Sequence, residues 1–432
     1  MTLFEPNKEL KTDLGAPIKI LEHLGGGGQG EVYKVEYQGE QKALKWYNEG
    51  ALRNPDAFYK NLSKNISKGN PDAAFLWPEA ITEKAEGSFG YIMDLRPEGY
   101  YELSKIMASD KINFASFRMA TEACIEIVKA FNSLHFNGYS YQDLNDGNFF
   151  INPSNGKVLI CDNDNVAPNG TNMGVLGKPR YMAPEIVAGR GQVLPNTQSD
   201  RYSLSAILFL ILFMSHPLEG KRWLEPCITD AFAEKLYGTE PLFICDPNDK
   251  SNGPVNNIHR NIIERWSYMP QYLKDAFLSA FSQEALKNPS RRLRELDWIS
   301  VLVRFRSDIV RCNCGNEVFV QNASSTKCDI CGKMVEVKHK ITLPGYSITA
   351  AKGTRVYRCQ LGLCNIDDAL TPVASVVAKD NDPNILGFKN MTPDILLAKT
   401  PSGKEKQVPS KSVVPFKSGI EIDAFDKKII LE

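Results

Sequence analysis

Hydrophobic and polar positions change their period twice along the chain. Residues 1–95 carry short alternating runs, such as EVYKVEY and QKALKWY, which read as strands separated by turns. One stretch near 56–68, DAFYKNLSKNISK, sets Phe58, Leu62 and Ile66 at helical spacing and predicts a helix among those strands. From 112 to 309 the period is mostly helical. FRMATEACIEIVKAFNSLH carries apolar residues on one face, and SLSAILFLILFM at 203–214 is apolar all round, as a core helix is. That run is well short of the ~20 residues that span a bilayer, so no membrane segment is expected. Beyond Val310 come cysteine pairs, then alternating segments such as VEVKHKITL and IEIDAF, punctuated by Gly, Pro, Asn and Asp. That texture reads as an all-β unit. No internal repeat or low-complexity tract is seen.

Composition sets wider bounds. A chain of 432 residues suggests two or three domains, and 43% apolar with 24% charged residues is a globular balance. Lys plus Arg equals Asp plus Glu, 51 each, so net charge gives no support for a nucleic-acid partner. The N-terminal MTLFEPNKELKTDLG lacks the apolar core of a secretory signal. Ten cysteines are then expected to be reduced, and the expected compartment is the cytoplasm.

Chemistry begins at LGGGGQGEV, Leu24 to Val32, where Gly25, Gly27, Gly30 and Val32 fit G-x-G-x-x-G-x-V between two strand-like runs. Glycines let backbone close over phosphates and turn free N–H groups toward the oxygens. A strand–turn–strand setting argues against a dinucleotide site, whose glycines lead into a helix. On the next strand Lys45 is placed to reach phosphates under that turn. YQDLNDGN, residues 141–148, is by itself ordinary turn composition. It is followed, in order, by CDND with Asp162, GKPRYMAPE at 177–185 and SDRYSL at 199–204.

This succession resembles the eukaryotic-like protein kinases over about residues 18–305. The resemblance implies an α+β, bilobal fold: a β-rich N-lobe at 1–95 and a helical C-lobe at 96–309. It implies ATP and Mg²⁺ (or Mn²⁺) as cofactors and Ser/Thr hydroxyls of protein substrates as acceptors. Asp143 matches the Asp that takes or orients the hydroxyl proton, Asn148 and Asp162 match the two metal ligands, and Lys45 the phosphate-holding Lys. Met93 matches the back of the adenine pocket, with the backbone of Asp94 and Arg96 placed to bond adenine. Leu24, Val32, Ala43 and Phe150 match the residues that sandwich the base. Glu185 is expected to pair with Arg292, and Asp200 to brace the catalytic loop.

Four departures stand out. His-Arg before the catalytic Asp is Tyr141-Gln142, and the Lys two residues after it is Asn145, counted here with the catalytic set. The metal triplet reads Asp162-Asn163-Asp164 rather than Asp-Phe-Gly. The helix near 56–68 has no Glu to pair with Lys45, which leaves Asn61 or Asn65 as the neighbours able to hydrogen-bond there. The alternative to an active enzyme is a pseudokinase scaffold that binds nucleotide and docks partners through its tail. The chain also resembles bacterial kinases that carry FLWP and CDNDNV. Their association with a von Willebrand A-type protein and a metal-dependent Ser/Thr phosphatase is what that resemblance implies for partners.

Cys312 and Cys314, then Cys328 and Cys331 after thirteen intervening residues, form C-x-C and C-x-x-C. Four thiolates satisfy tetrahedral Zn²⁺ with no open position, which predicts a structural zinc ribbon over 310–335. Cys359 and Cys364 read as plain core or strand residues. The tail, 336–432, has fourteen Lys or Arg against eleven Asp or Glu and reads as a small all-β domain. VYRCQLG and ILGFKNMT faintly resemble forkhead-associated phosphothreonine-binding sandwiches, without that family's Ser-x-x-His element. A binding module is the expected role, with a structural extension as the alternative.

Overall fold

The alternation in residues 1–95 resolves into one antiparallel sheet. Its strands are β1 (Glu9–Lys11), β2 (Pro17–Gly26), β3 (Gly30–Tyr37), β4 (Glu40–Tyr47), β5 (Ala80–Ile81) and β6 (Gly90–Asp94). In space they run β1-β2-β3-β4-β6-β5. This computed structural model describes residues 3–172, 177–225, 227, 229–363, 365 and 368–432. Strand side chains alternate between faces. Leu44 and Trp46 of β4 therefore join Ile18, Ile20, Tyr33 and Ile92 in one core. Ala43 and Tyr47 lie on the opposite face with Tyr91 and Met93, and Lys45 between them shares it.

Helix α1 (Pro55–Lys68) covers that second face with Phe58 and Leu62. Its start is set by Asn54, whose side chain accepts from the Ala57 N–H at 3.1 Å, and by Pro55 in the first turn. It stops at Gly69, where φ is 84°.

In the helical part, Phe117–Phe136 and Thr197–Phe213 pack together in the largest core. The second is buried almost all round, as its sequence demands. A hairpin of Phe149–Asn152 and Lys157–Ile160 delivers the chain to Asp162. A short ladder of Tyr139–Ser140 with Ala167–Pro168 closes the loop that carries Asp143. Glu295–Asp308 is the last helix, with Trp298 fully buried. Among the described residues no helix is long and apolar enough to cross a membrane.

Strand Ile309–Arg311 follows that helix directly and pairs with Glu317–Phe319. The Phe319 ring lies against Phe117 and Phe305, at 5.6 and 5.3 Å between centroids. Further on, a six-stranded and a four-stranded antiparallel sheet share a core that includes Ile341, Val376, Phe388 and Ile422. The Arg304 guanidinium joins this part to the helical one, lying 3.9 Å from the Tyr272 ring centroid and 4.4 Å from that of Tyr346. Cys359 is buried in the large core, and Cys364 lies outside the described residues.

Candidate active site

Lys45 is almost wholly buried between the sheet and the helical part. Its Nζ donates to Asp164 Oδ2 at 2.9 Å and to Asp162 Oδ1 at 3.2 Å. Burial alone would discharge the ammonium, but the two carboxylates outweigh it and hold the pKa above the ordinary lysine value. Asp164 has no exposed side-chain surface and also accepts from the hydroxyls of Tyr47 (2.7 Å) and Tyr91 (3.2 Å). Alternation explains the convergence. Tyr47 is two residues from Lys45 on β4, and Tyr91 is opposite Lys45 on β6.

Neither asparagine of α1 bonds Lys45. Asn61 Nδ2 and Asn65 Nδ2 both donate to the Val166 carbonyl, at 2.8 and 2.9 Å, two residues beyond Asp164. The expectation that an α1 amide replaces the missing Glu is therefore corrected. The partner comes from the triplet itself, at the position where the related kinases have Gly. The turn is built for it: Asp162 sits at φ 55°, and Asn163 Nδ2 donates to the carbonyls of Leu76 and Ile160. This sends Asp162 toward the cleft and Asp164 into the sheet side.

The catalytic-loop candidates lie on the opposite wall. Asn148 Nδ2 donates to the Asp143 carbonyl at 2.8 Å, and Asn145 Nδ2 reaches the Asp143 carboxylate at 3.3 Å. Burial raises the Asp143 pKa, the Asn145 bond opposes it, and nearby Asp162 adds to it. Tyr141 fills its position as a buried ring against Phe131, its hydroxyl donating to the Cys161 carbonyl. The Tyr141 N–H donates to Asp200 at 2.7 Å, so Asp200 does brace this loop. Gln142 adopts φ 70°, and its Nε2 donates to the Thr171 carbonyl at 2.8 Å. Arg292 meets both oxygens of Glu185, at 2.8 and 2.6 Å.

Above the cleft, Gly27 N–H donates to the Gly30 carbonyl, and Asn48 Nδ2 to that of Gly27, which ties the turn to the end of β4. Gly30 has no substitute, because a Cβ there would sit 2.2 Å from the Trp46 carbonyl oxygen. Gly25 and the half-exposed Leu24 lie near the end of β2, Val32 pairs with Lys45, and Ala43 pairs with Met93. The Asp94 carboxylate accepts from Lys42 at 2.8 Å. Phe150 lies on the opposite wall, with the Arg96 guanidinium 4.1 Å from its ring centroid. Sequence reasoning gave Arg96 only a backbone role.

Residues 79–271 match the protein kinase domain family. The kinase domain match starts after the glycine turn and Lys45 and stops before Arg292, so those parts rest on the geometry above. Among curated proteins, the chain is 23% identical over 312 residues to a RAC family serine/threonine-protein kinase homolog of Dictyostelium discoideum, covering 70% of this chain and 61% of that one. It is 25% identical over 233 residues to the serine/threonine-protein kinase Nek11 of Macaca fascicularis, covering 50% and 34%. The chain thus spans less than two thirds of these relatives' lengths. Among solved structures, a single-residue mutant of the Mycobacterium tuberculosis PknI kinase domain aligns with TM-score 0.47 and 15% identity, over 70% of this chain and 98% of that one.

Apart from the kinase cleft, the ligand atoms of Cys312, Cys314, Cys328 and Cys331 lie within 4.8 Å of one another. The pairs Cys312–Cys331 and Cys314–Cys328 stand 3.7 and 3.6 Å apart. Asn316 Nδ2 is 3.5 Å from the Cys328 sulfur. Sequence reasoning missed Asp164, Tyr47, Tyr91 and Lys178, whose Nζ donates to Asn145 Oδ1 at 3.2 Å. Two signals for Asp164 were present: a carboxylate where Gly is usual, and a tyrosine two places from the lysine.

Proposed function

We propose that the chain is an ATP- and Mg²⁺-dependent kinase that phosphorylates Ser/Thr hydroxyls of protein substrates. One observation carries this: Lys45 donates to Asp162 at 3.2 Å, Asn148 donates to the Asp143 carbonyl at 2.8 Å, and the Cys161 N–H, beside Asp162, joins the two pairs by donating to the Asn148 carbonyl at 2.9 Å. The donor set fits a hard cation. Asn148 Nδ2 is engaged by the Asp143 carbonyl, which leaves its amide oxygen for the metal, and Asp162 offers a half-exposed carboxylate. Asp164, enclosed by two tyrosines and Lys45, is not available to that ion. Mg²⁺ (or Mn²⁺), when bound by Asn148 and Asp162, would supply charge neutralisation on the nucleotide phosphates. Lys45 would hold the α/β-phosphates, and the glycine turn would cover them. Asp143 would take the hydroxyl proton as the acceptor oxygen bonds phosphorus and the bond to the ADP oxygen breaks.

The cysteine cluster supports a structural zinc. Four sulfurs about 2.3 Å from one ion at tetrahedral angles stand about 3.8 Å apart. The spacings here match that, and they are far beyond a disulfide's ~2.05 Å. A phosphothreonine-binding role for the tail and the von Willebrand A-type and phosphatase partners rest on the sequence resemblance. The deciding experiment is incorporation of labelled phosphate from ATP with Mg²⁺ or Mn²⁺, wild type against Asp143→Asn. Transfer by wild type alone is expected. Equal transfer by both, or none with either metal, would leave the scaffold reading instead.

A further inference from the structure

Phosphoryl transfer moves a dianionic group, and the catalytic loop here has lost a cation. The related kinases commonly carry Lys at the position of Asn145, and Asn145 is neutral. Lys45 does not fill the gap, because it is buried and shared between the carboxylates of Asp162 and Asp164. Lys178 stands where a cation is missing. Its Nζ donates to Asn145 Oδ1, whose amide nitrogen in turn reaches the Asp143 carboxylate. Its positive charge and its backbone N–H also act on Asp143, both opposing the effect of burial there. Among the described residues no carboxylate lies within 4.0 Å of Lys178 Nζ, whose side-chain bond is to the neutral Asn145 amide.

The backbone around Lys178 is fixed rather than draped. Its carbonyl accepts from Tyr181 N–H at 2.9 Å and Met182 N–H at 3.2 Å. Arg180 grips both oxygens of Glu219, and Ser203 Oγ donates to the Tyr181 carbonyl at 2.6 Å. Gly177 lets the segment pass close to the loop, since a Cβ there would be 3.0 Å from Met182 and 3.4 Å from the Gln142 carbonyl oxygen. The ammonium itself remains on an exposed residue at the mouth of the cleft.

We propose that Lys178 is a catalytic residue that donates to the oxygens of the transferring phosphoryl group, in place of a lysine on the catalytic loop. It stays protonated throughout; the hydroxyl proton goes to Asp143 and ADP is the leaving group. The inference rests on the kinase reading above. It also means that the order of residues 177–182 and the charge at the transfer site are one property of the molecule.

The test measures kcat and KM for ATP in wild type, Lys178→Ala, Lys178→Arg, and the double variant Lys178→Ala/Asn145→Lys. Lys178→Ala is expected to lower kcat about a hundredfold, the scale of losing one transition-state donor. KM for ATP should change much less, and the melting temperature should not fall. Lys178→Arg should keep more activity than Lys178→Ala, and moving the charge back in the double variant should recover at least about tenfold of kcat. A Lys178→Ala rate within threefold of wild type overturns the proposal, as does a loss that the double variant leaves unrepaired. Inactivity of wild type itself would instead remove the kinase reading on which the proposal rests.

Discussion

Asp164 shows how one side chain can take over a long-range task. A buried ammonium needs a partner, and removing one member of such a pair costs several kcal/mol because the other is left without compensation. Asp164→Asn is therefore expected to lower stability by about 3 kcal/mol and to leave Lys45 leaning on Asp162 alone, which weakens phosphate transfer. Denaturant melts and the phosphate assay check both effects, and an unchanged midpoint with full turnover would refute the assignment. Asn61→Ala or Asn65→Ala should each cost only about 1 kcal/mol, the worth of one hydrogen bond. The chemistry-bearing residues of the cleft were legible because phosphate handling restricts residue type. The destination of Asp164 was not. It depends on Asp162 adopting φ 55° and on Asn163 filling its hydrogen bonds below the turn, and neither is a property of local composition. Lys178 was hidden for a related reason, since it lies 33 residues from the Asn145 it bonds.

At the scale of elements, three helices meet at His135. Its two ring nitrogens donate to Asp200 of Thr197–Phe213 and Glu295 of Glu295–Asp308, at 3.0 and 2.9 Å. Both carboxylates outweigh burial and raise its pKa to about 9. A raised histidine stabilises fully below its unfolded value near 6.5 and loses that contribution as pH climbs through about 9. The difference amounts to about 3 kcal/mol. Glu295 is the opposite case: held down to about 2 chiefly by the His135 and Arg201 bonds against burial, it contributes above about 4.5 and fails only in strong acid. Wild type should thus lose stability between pH 6.5 and 9, and His135→Asn should flatten that slope; parallel slopes in chemical melts would contradict it. Thr171 leads to a second expectation. Gln142 already holds the Thr171 carbonyl with a neutral amide, a contact that needs no phosphate. Thr171→Ala should leave the transfer rate near wild type, and a large loss recovered by Thr171→Glu would show a phosphate switch. Lys45 also has its partner without help from α1.

Across the whole molecule, the cysteine cluster is joined to the helical part rather than hanging from it. Phe319 packs on Phe117 and Phe305, and the Glu317 carboxylate accepts from the Phe117 N–H at the start of a long helix. Metal analysis is expected to find one zinc per chain, lost when any of the four cysteines is replaced. Chelation should first speed amide exchange in 310–335, because so small a unit has little core of its own. Zinc-free purified protein would end that account. The cysteine spacing was legible, but the seating of the tail was not, since Arg304 finds Tyr272 and Tyr346 only after both parts have folded. That seating has a geometric consequence. Asp308 ends the last helix and Ile309 begins the next strand, so there is no slack between them. A tethered module sweeps a volume and raises the local concentration of whatever it carries. On the reading that the terminal sheets bind a partner, a module seated in this way would work as a jig: the partner would meet Asp143 at one bearing and one reach, and hydroxyls placed elsewhere on it would be disfavoured.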